Sequence, residues 1–166
     1  MSSISPEGPG DEGRRRRRLT ATIKDALRDL RNQLSLLNHR VGGRLNLREV
    51  DLDCLDLIAR HGPLSPSALA RRAGLHPATM TGILDRLDRG GWISRGRDPD
   101  AGDRRTVAVR ARRERSAEVF ALYAGMNASL DRICAGYTEA ELELLADFLR
   151  RTGAAGREAT EELTAD

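Results

Sequence analysis

Apolar residues along this chain recur at helical spacing, except in one short stretch where they alternate. Between residues 65 and 87 they form two short helical stripes on either side of Gly74. Ser65 and Pro66 suit the cap and first position of one helix, and glycine suits its left-handed end. Pro77 suits the start of a second helix. The buried stripe of that helix is Met80, Ile83, Leu84 and Leu87. The pattern therefore predicts a helix, a tight turn and a second helix.

The second helix of this pair keeps a polar outer face. Its outward positions are Ala78, Thr79, Thr81, Gly82, Asp85, Arg86 and Arg89. Small residues lie in its first half, where a recognition helix meets base edges in a major groove, and arginines lie towards its end. The helix pair by itself leaves open the alternative of a piece of a helical bundle.

The alternating stretch follows directly and predicts a β-hairpin. Residues 93–97 form its first strand and residues 104–110 its second, and the turn-prone residues 98–103 join them. The arginines of the two strands are Arg95, Arg97, Arg104, Arg105 and Arg110. Arginine suits a narrow minor groove, because its weakly hydrated guanidinium tolerates confinement there. A helix pair followed by a basic hairpin indicates a DNA-reading head with a wing.

The order of these elements resembles the MarR family of bacterial transcriptional regulators, which are dimeric winged helix-turn-helix proteins. The likeness covers residues 19–151 in layout. Its specific motifs are LARRAGLHPATMTGILDRLDRGGWI and a wing containing DRR. The resemblance implies that Asp103 holds a wing arginine and that Arg104 or Arg105 enters the minor groove. It also places Thr79, Thr81 and Arg86 on the DNA face.

The chain departs from the family at two positions. After the second wing strand it reads ARRERS, where most members have a threonine and a glycine, and His76 stands where a better capping residue is common. Neither departure removes the match. The residues expected to contact DNA are Ala78, Thr79, Thr81, Gly82, Arg86, Arg95, Arg97, Asp103, Arg104 and Arg105.

Charge is distributed unevenly along the chain, although the net charge is only +3. Residues 63–115 hold 12 arginines and 6 acids, whereas residues 116–166 hold 4 arginines and 10 acids. This asymmetry places positive charge on the helix pair and wing and keeps the other end away from phosphates. Double-stranded DNA is therefore the expected partner. A winged-helix module that binds protein, or an architectural protein that coats DNA without sequence preference, is the alternative.

Long amphipathic helices flank the predicted reading head. The first carries a narrow seam and ends near Gly42 and Gly43. The seam residues are Thr20, Ile23, Leu27, Leu30, Leu34, Leu37 and Val41. Two further seams lie within residues 119–137 and 142–149, and Thr138 with Glu141 forms a capping box before the last one.

Such seams fit either an intramolecular core or a subunit interface. The resemblance favours a homodimer built from the terminal helices. Two-fold symmetry would then separate the recognition helices by about 34 Å, which matches an inverted repeat. The same resemblance implies a repressor that responds to a small-molecule effector of unspecified chemistry.

The predicted fold class is mainly α with a small β-wing, a winged helix-turn-helix flanked by long dimerisation helices. We expect a disordered basic tail over residues 1–18, a dimerisation helix over 19–45, the DNA-binding module over 46–110 and dimerisation helices over 111–166. The first helix of the module begins at a reciprocal cap of Asn46 and Glu49.

The tail contains five consecutive arginines at residues 14–18. They either add non-specific affinity for phosphates or serve as a solubilising tail. No apolar run approaches the roughly 20 residues that cross a bilayer, so we expect a cytoplasmic protein with no membrane partner.

Catalytic and metal-binding motifs are missing from the sequence. It has no Walker loop, no GxSxG and no HExxH, and the three histidines are scattered. We therefore expect neither an enzyme nor a cofactor or metal. Some relatives in the resembled family sense oxidants through cysteine. Cys54 and Cys134 are interpreted here as small core hydrophobes instead, because their neighbours are acidic or apolar.

Overall fold

The computed structural model describes residues 9–97 and 107–164. Within these residues the chain forms six α-helices and two β-strands. Residues 1–46 and 47–166 are two compact units. The first unit contains α1 (Pro9–Leu45). The second contains α2 (Glu49–His61), α3 (Pro66–Ala73), α4 (Pro77–Arg89), β1 (Ile93–Arg97), β2 (Val107–Ala111), α5 (Arg113–Cys134) and α6 (Glu139–Thr164).

Helix α1 begins earlier than the sequence predicts and ends at Leu45, the last residue of the predicted dimerisation helix. It begins at Pro9, so residues 14–18 are helical and the expectation of a disordered tail is wrong for residues 9–18. Arginine is a good helix former, and Asp11 and Glu12 in the first turn complement the positive end of the helix dipole. The helix also continues through Gly42 and Gly43 to Leu45.

Asn46 ends α1 and does not cap α2, so the predicted reciprocal cap with Glu49 is wrong. Its φ of 54° is left-handed, a conformation that asparagine tolerates better than most residues. The cap of α2 is Arg48, whose backbone N–H donates to the Asp51 carboxylate at 3.4 Å. The sequence pattern was misleading because a side chain that can cap one helix can also terminate another.

The core of the second unit lies among α2, α3, α4 and the strands. It is aliphatic, with Trp92 as its aromatic member. The predicted stripe of α4 is fully buried, and Ile93 and Val109 of the two strands are 0% exposed. Other core residues are Leu52, Cys54, Leu55, Ile58, Leu69 and Ala108. This packing confirms the predicted helix pair and fixes which side of α4 faces outward.

The two strands pair antiparallel, from Ile93 opposite Ala111 to Arg97 opposite Val107. Leu64 adds a one-residue bridge on the other side of β2, through bonds of 2.8 and 3.2 Å with the backbone of Val109. The sheet therefore joins the segment before α3 to the wing. The described part of the second strand is Val107–Ala111; residues 98–106, which include the predicted turn and the predicted start of this strand at residue 104, lie outside the described part of the chain.

Helices α5 and α6 bury none of their described residues within the chain. Helix α5 starts at Arg113, and α6 follows the predicted capping box. The Thr138 backbone N–H donates to Glu141 at 2.8 Å, and the Glu141 N–H donates to the Thr138 hydroxyl at 3.3 Å. The capping box is thus confirmed. Among residues 9–97 and 107–164, no helix is both long enough and apolar enough to cross a membrane.

Candidate nucleic-acid interface

The start of α4 is held by the turn that precedes it. Gly74 ends α3 with a φ of 64°, as the sequence predicts. His76 then caps α4, because its Nδ1 accepts from the Ala78 backbone N–H at 3.3 Å. His76 therefore caps the helix with its side chain, although it departs from the residue that is common in the family at this position. The turn fixes the direction in which the first half of α4 projects.

The outer face of α4 is open in its first half. Ala78, Thr79 and Thr81 are exposed, whereas Gly82 is partly buried. The Thr81 hydroxyl donates to the Pro77 carbonyl at 3.1 Å, which leaves its methyl group and its oxygen lone pairs directed outward. A face of such small side chains lets a polyanion or a base edge approach the helix closely.

Arg86 is bound to a carboxylate that is almost completely buried. Its Nε and Nη2 donate to the two oxygens of Asp51 at 3.1 and 2.6 Å, and the Asp51 side chain is only 2% exposed. This hydrogen bonding raises the pKa of Arg86. The bidentate pair fastens α4 to α2, so the part of the guanidinium fork that matches a phosphate is already engaged.

The first wing strand is tied to the same helix. Arg95 donates through Nη2 to Asp85, and its Nε lies 3.3 Å from the Asp88 carboxylate. Its side chain is 34% exposed. Because Asp85 and Asp88 lie one turn apart on α4, the two ion pairs set the angle at which the wing leaves the helix. Arg95 therefore positions the wing.

The base of the wing rests on Trp92, which is 2% exposed. The Arg115 guanidinium lies 3.6 Å from the centre of the indole ring, a cation–π contact. Arg112 donates through Nε to the Ile93 carbonyl at 3.1 Å, and its backbone N–H donates to the Trp92 carbonyl at 2.9 Å. The unusual ARRERS segment thus starts α5 and braces β1. Sequence analysis missed this role, because Arg112 and Arg115 lie 20 and 23 positions from Trp92 along the chain and come close to it only in the fold.

The remaining predicted site residues divide into two groups. Arg97 is exposed at the end of β1. Asp103, Arg104 and Arg105 lie outside the described residues. The structure also exposes Arg71, Arg72 and Arg110, which sequence analysis did not single out as DNA contacts. The first two are in the last turn of α3 and the third is on β2.

The two cysteines differ in their surroundings. Cys54 is 0% exposed, and burial, assisted by Asp53 and Asp51, raises the pKa of its thiol to about 11. It is a core residue, as predicted, and lacks the surroundings of an oxidant sensor. Cys134 is partly exposed at the end of α5, so within this chain it is not the core residue that the sequence predicts. Among the residues that the structure describes, no group of His, Cys, Asp or Glu is arranged to hold a metal ion.

The chain is similar to known helix-turn-helix regulators. A model of the MarR family matches residues 47–107. The HTH-type transcriptional regulator YcgE of Bacillus subtilis is 28% identical over 148 residues, which make up 89% of this chain and 95% of YcgE. The HTH-type transcriptional repressor YetL of Bacillus subtilis is 28% identical over 116 residues, which make up 69% of this chain and 68% of YetL.

Solved structures show the same fold. FabT of Streptococcus pneumoniae, crystallised in complex with DNA, is similar with a TM-score of 0.61 and 19% sequence identity, over 84% of this chain and 99% of FabT. The matched family segment runs from the start of the second unit to the wing, where the helix pair, the buried stripe and the antiparallel pairing of the two described strands have the predicted form. Residues 47–107 therefore match the MarR family of winged helix-turn-helix transcriptional regulators, and the chain is similar to HTH-type transcriptional regulators over most of its length.

Proposed function

We propose that this regulator is a homodimeric, sequence-specific repressor that binds an inverted-repeat operator and releases it in response to a small molecule. The observation that carries the proposal is the outer face of α4. Ala78, Thr79 and Thr81 are exposed there, on a helix whose opposite stripe is anchored in the core. A recognition helix needs this combination, because its side chains can distinguish DNA bases only when their positions are fixed.

The proposed contacts fall into three groups. The small residues Ala78, Thr79, Thr81 and Gly82 approach base edges in the major groove, and Arg97 with Asp103, Arg104 and Arg105 forms a wing that reaches the minor groove. Arg71, Arg72 and Arg110 are exposed cations available to phosphates. Arg86 and Arg95 act chiefly by positioning α4 and the wing, since both are engaged by carboxylates.

The proposed dimer rests on apolar seams in which several leucine and isoleucine side chains are exposed to solvent in a single chain. On α1, Ile23, Leu30 and Leu34 are between 39 and 45% exposed. On α5 and α6, Leu130, Ile133, Leu145 and Leu149 are between 41 and 58% exposed. Rows of exposed leucine and isoleucine at helical spacing indicate a protein interface, and a second copy supplies matching rows.

The proposed repressor activity and effector response are supported by likeness and by dimer geometry. YetL, which is similar over most of this chain, is named a transcriptional repressor. In a two-fold dimer the distance between recognition helices decides whether both reach the same face of the duplex. An effector that binds one conformation of the dimer more tightly increases the population of that conformation. Repression ends when the distance between the recognition helices in that conformation does not fit the operator.

Selection of genomic fragments by the full-length chain tests this function. We expect bound fragments to share an inverted repeat whose half-sites are centred about 10 base pairs apart. Thr81→Val should change the selected bases without abolishing binding, because it keeps the shape of the side chain and removes its hydroxyl. Equal recovery of all fragments would favour an architectural protein. No retained duplex at low ionic strength would favour a protein-binding module.

A further inference from the structure

The first ten residues of α1 carry an unusually dense positive charge. Residues 14–18, here named the arginine segment, are five consecutive arginines, and all five are exposed. Only Arg14 has a carboxylate nearby among the described side chains of this end, with its Nε 3.6 Å from Asp11. These arginines belong to a helix and not to a loose tail, so they have a defined arrangement around the helix axis.

Five consecutive residues cover the whole circumference of a helix, because each is rotated by about 100° from the last. Every side of the arginine segment therefore presents a guanidinium. A protein partner that touched one side would engage one or two of them and leave the rest unused. A membrane-surface helix needs an apolar face, and residues 10–18 contain no apolar side chain. A groove of nucleic acid, with phosphates on both walls, can engage several sides at once.

The net charge of this end of α1 increases this preference for phosphate. Residues 9–18 contain five arginines and only two acids. Neighbouring arginines on a helix repel one another unless anions neutralise them. Phosphates would relieve this repulsion and release counterions, which is the main source of sequence-independent affinity for DNA.

The arginine segment is far from the end of α1 that leads to the reading head. From Arg18 to Leu45 the helix is unbroken, and at 1.5 Å per residue this distance is about 40 Å. We propose that the arginine segment is a second, sequence-independent DNA-binding surface that contacts duplex phosphates separately from α4. The proposal deepens the proposed function and rests on it only in taking duplex DNA as the ligand.

Two matched triple variants test the proposal in the full-length chain. R15Q/R16Q/R17Q removes three exposed arginines from the arginine segment, and R150Q/R151Q/R157Q removes three exposed arginines from α6. Both change the net charge equally, and glutamine retains helix propensity. Binding is measured by fluorescence anisotropy against salt concentration, on the selected operator and on a random duplex of equal length.

We expect the α1 triple to lower the slope of log K against log salt by about two to three, since each phosphate contact contributes about 0.9. Affinity for both duplexes should fall at least about tenfold by the same factor, so that the preference for the operator is retained. The α6 triple should leave the slope unchanged. An unchanged slope in the α1 triple, or an equal fall in both triples, would overturn the proposal.

Two further measurements separate this proposal from other outcomes. If wild-type protein showed no preference for any operator, the proposed function would fail, yet the slope on random duplex would still test the arginine segment. A loss of self-association in sedimentation, or of binding to anionic phosphatidylserine vesicles, without any change on DNA would assign the arginine segment to a protein or membrane partner instead.

Discussion

At the residue scale, the decisive feature of the reading head is a buried carboxylate. Asp51 is almost inaccessible to water, and a charge in that position is tolerated only when it is paired and hydrogen-bonded. Arg86 supplies both conditions through two bonds. An outward-facing residue of the recognition helix thus has its most important contact on the inside of the same unit.

Arg86→Ala should lower the free energy of unfolding by about 3–5 kcal/mol, because it leaves Asp51 uncompensated. Chemical denaturation followed by circular dichroism measures the change. Arg89→Ala is the matched control on the same helix, where the exposed arginine bonds only to a carbonyl of its own turn, and we expect a change within about 0.5 kcal/mol. A stable Arg86→Ala variant whose salt slope on DNA fell by about one would show instead that phosphate contact is the main role.

Cys54 should make the protein less stable in alkaline solution. Its pKa of about 11 in the folded state lies above that of an unfolded thiol, so between these values the unfolded chain has lost a proton that the folded chain retains. Stability is therefore unaffected below about pH 8.5 and falls as the pH rises towards 11. Denaturation midpoints of wild type and Cys54→Ala across this range check the effect. Equal pH dependence of the two proteins would contradict it.

At the element scale, α4 serves two surfaces. One stripe is sealed in the core, Arg86 and Asp85 tie its second half to α2 and to the wing, and only its first half is free to approach a ligand. The short side chains there reduce the distance of approach, and Gly82 is the smallest of them. A larger residue at position 82 would therefore make the helix more stable but would keep it farther from a ligand.

Gly82→Ala should stabilise the fold and weaken operator binding. Alanine raises helix propensity by about 0.5–1 kcal/mol, and the new Cβ would lie in ordinary van der Waals contact with Arg86, 3.7 Å from its Nη1. The added methyl group keeps the helix from the bases, so affinity should fall while the melting temperature rises. Gly125→Ala, in open space on α5, is the control that changes stability alone. Undiminished affinity in Gly82→Ala would mean that this turn does not approach DNA closely.

At the scale of the whole molecule, most of the helical surface outside the reading head lacks a core. Helices α5 and α6 bury none of their described residues, and Ile23, Leu30 and Leu34 on the seam of α1 are exposed. Long helices of this kind gain little stability from propensity alone. The proposed dimer would supply these helices with apolar contacts that a single chain lacks.

Leu34→Glu should convert the proposed dimer to a monomer, because it places a charge on the seam of α1 where desolvation is unfavourable. Sedimentation velocity should show the smaller species, and operator affinity should fall at least about tenfold as the two half-sites are no longer bound together. Leu36→Glu is the matched control, two residues along the helix on the opposite side and already 59% exposed. If both variants remained dimeric, the seam of α1 would not be the interface.

The sequence predicted the local elements well wherever side-chain spacing and backbone stereochemistry acted together. The helix pair, the left-handed Gly74, the core stripe of α4 and the capping box at Thr138 all have their predicted form. The roles of the arginines were less predictable. The arginine side chain is long. Its position in the sequence therefore does not reveal whether it contacts a phosphate, a carboxylate or an aromatic ring.

The sequence by itself determined the family, the order of elements and the inner and outer faces of α4, because periodic burial and residues that stop helices are local properties. Only the tertiary structure decided that Arg86 belongs to Asp51, Arg95 to Asp85 and Asp88, and Arg115 to Trp92. These pairs join residues that lie between 7 and 35 positions apart, and each depends on how separate elements pack. The physical reason is that a buried charge selects its partner in space, where geometry and the exclusion of water, and not sequence spacing, set the energy.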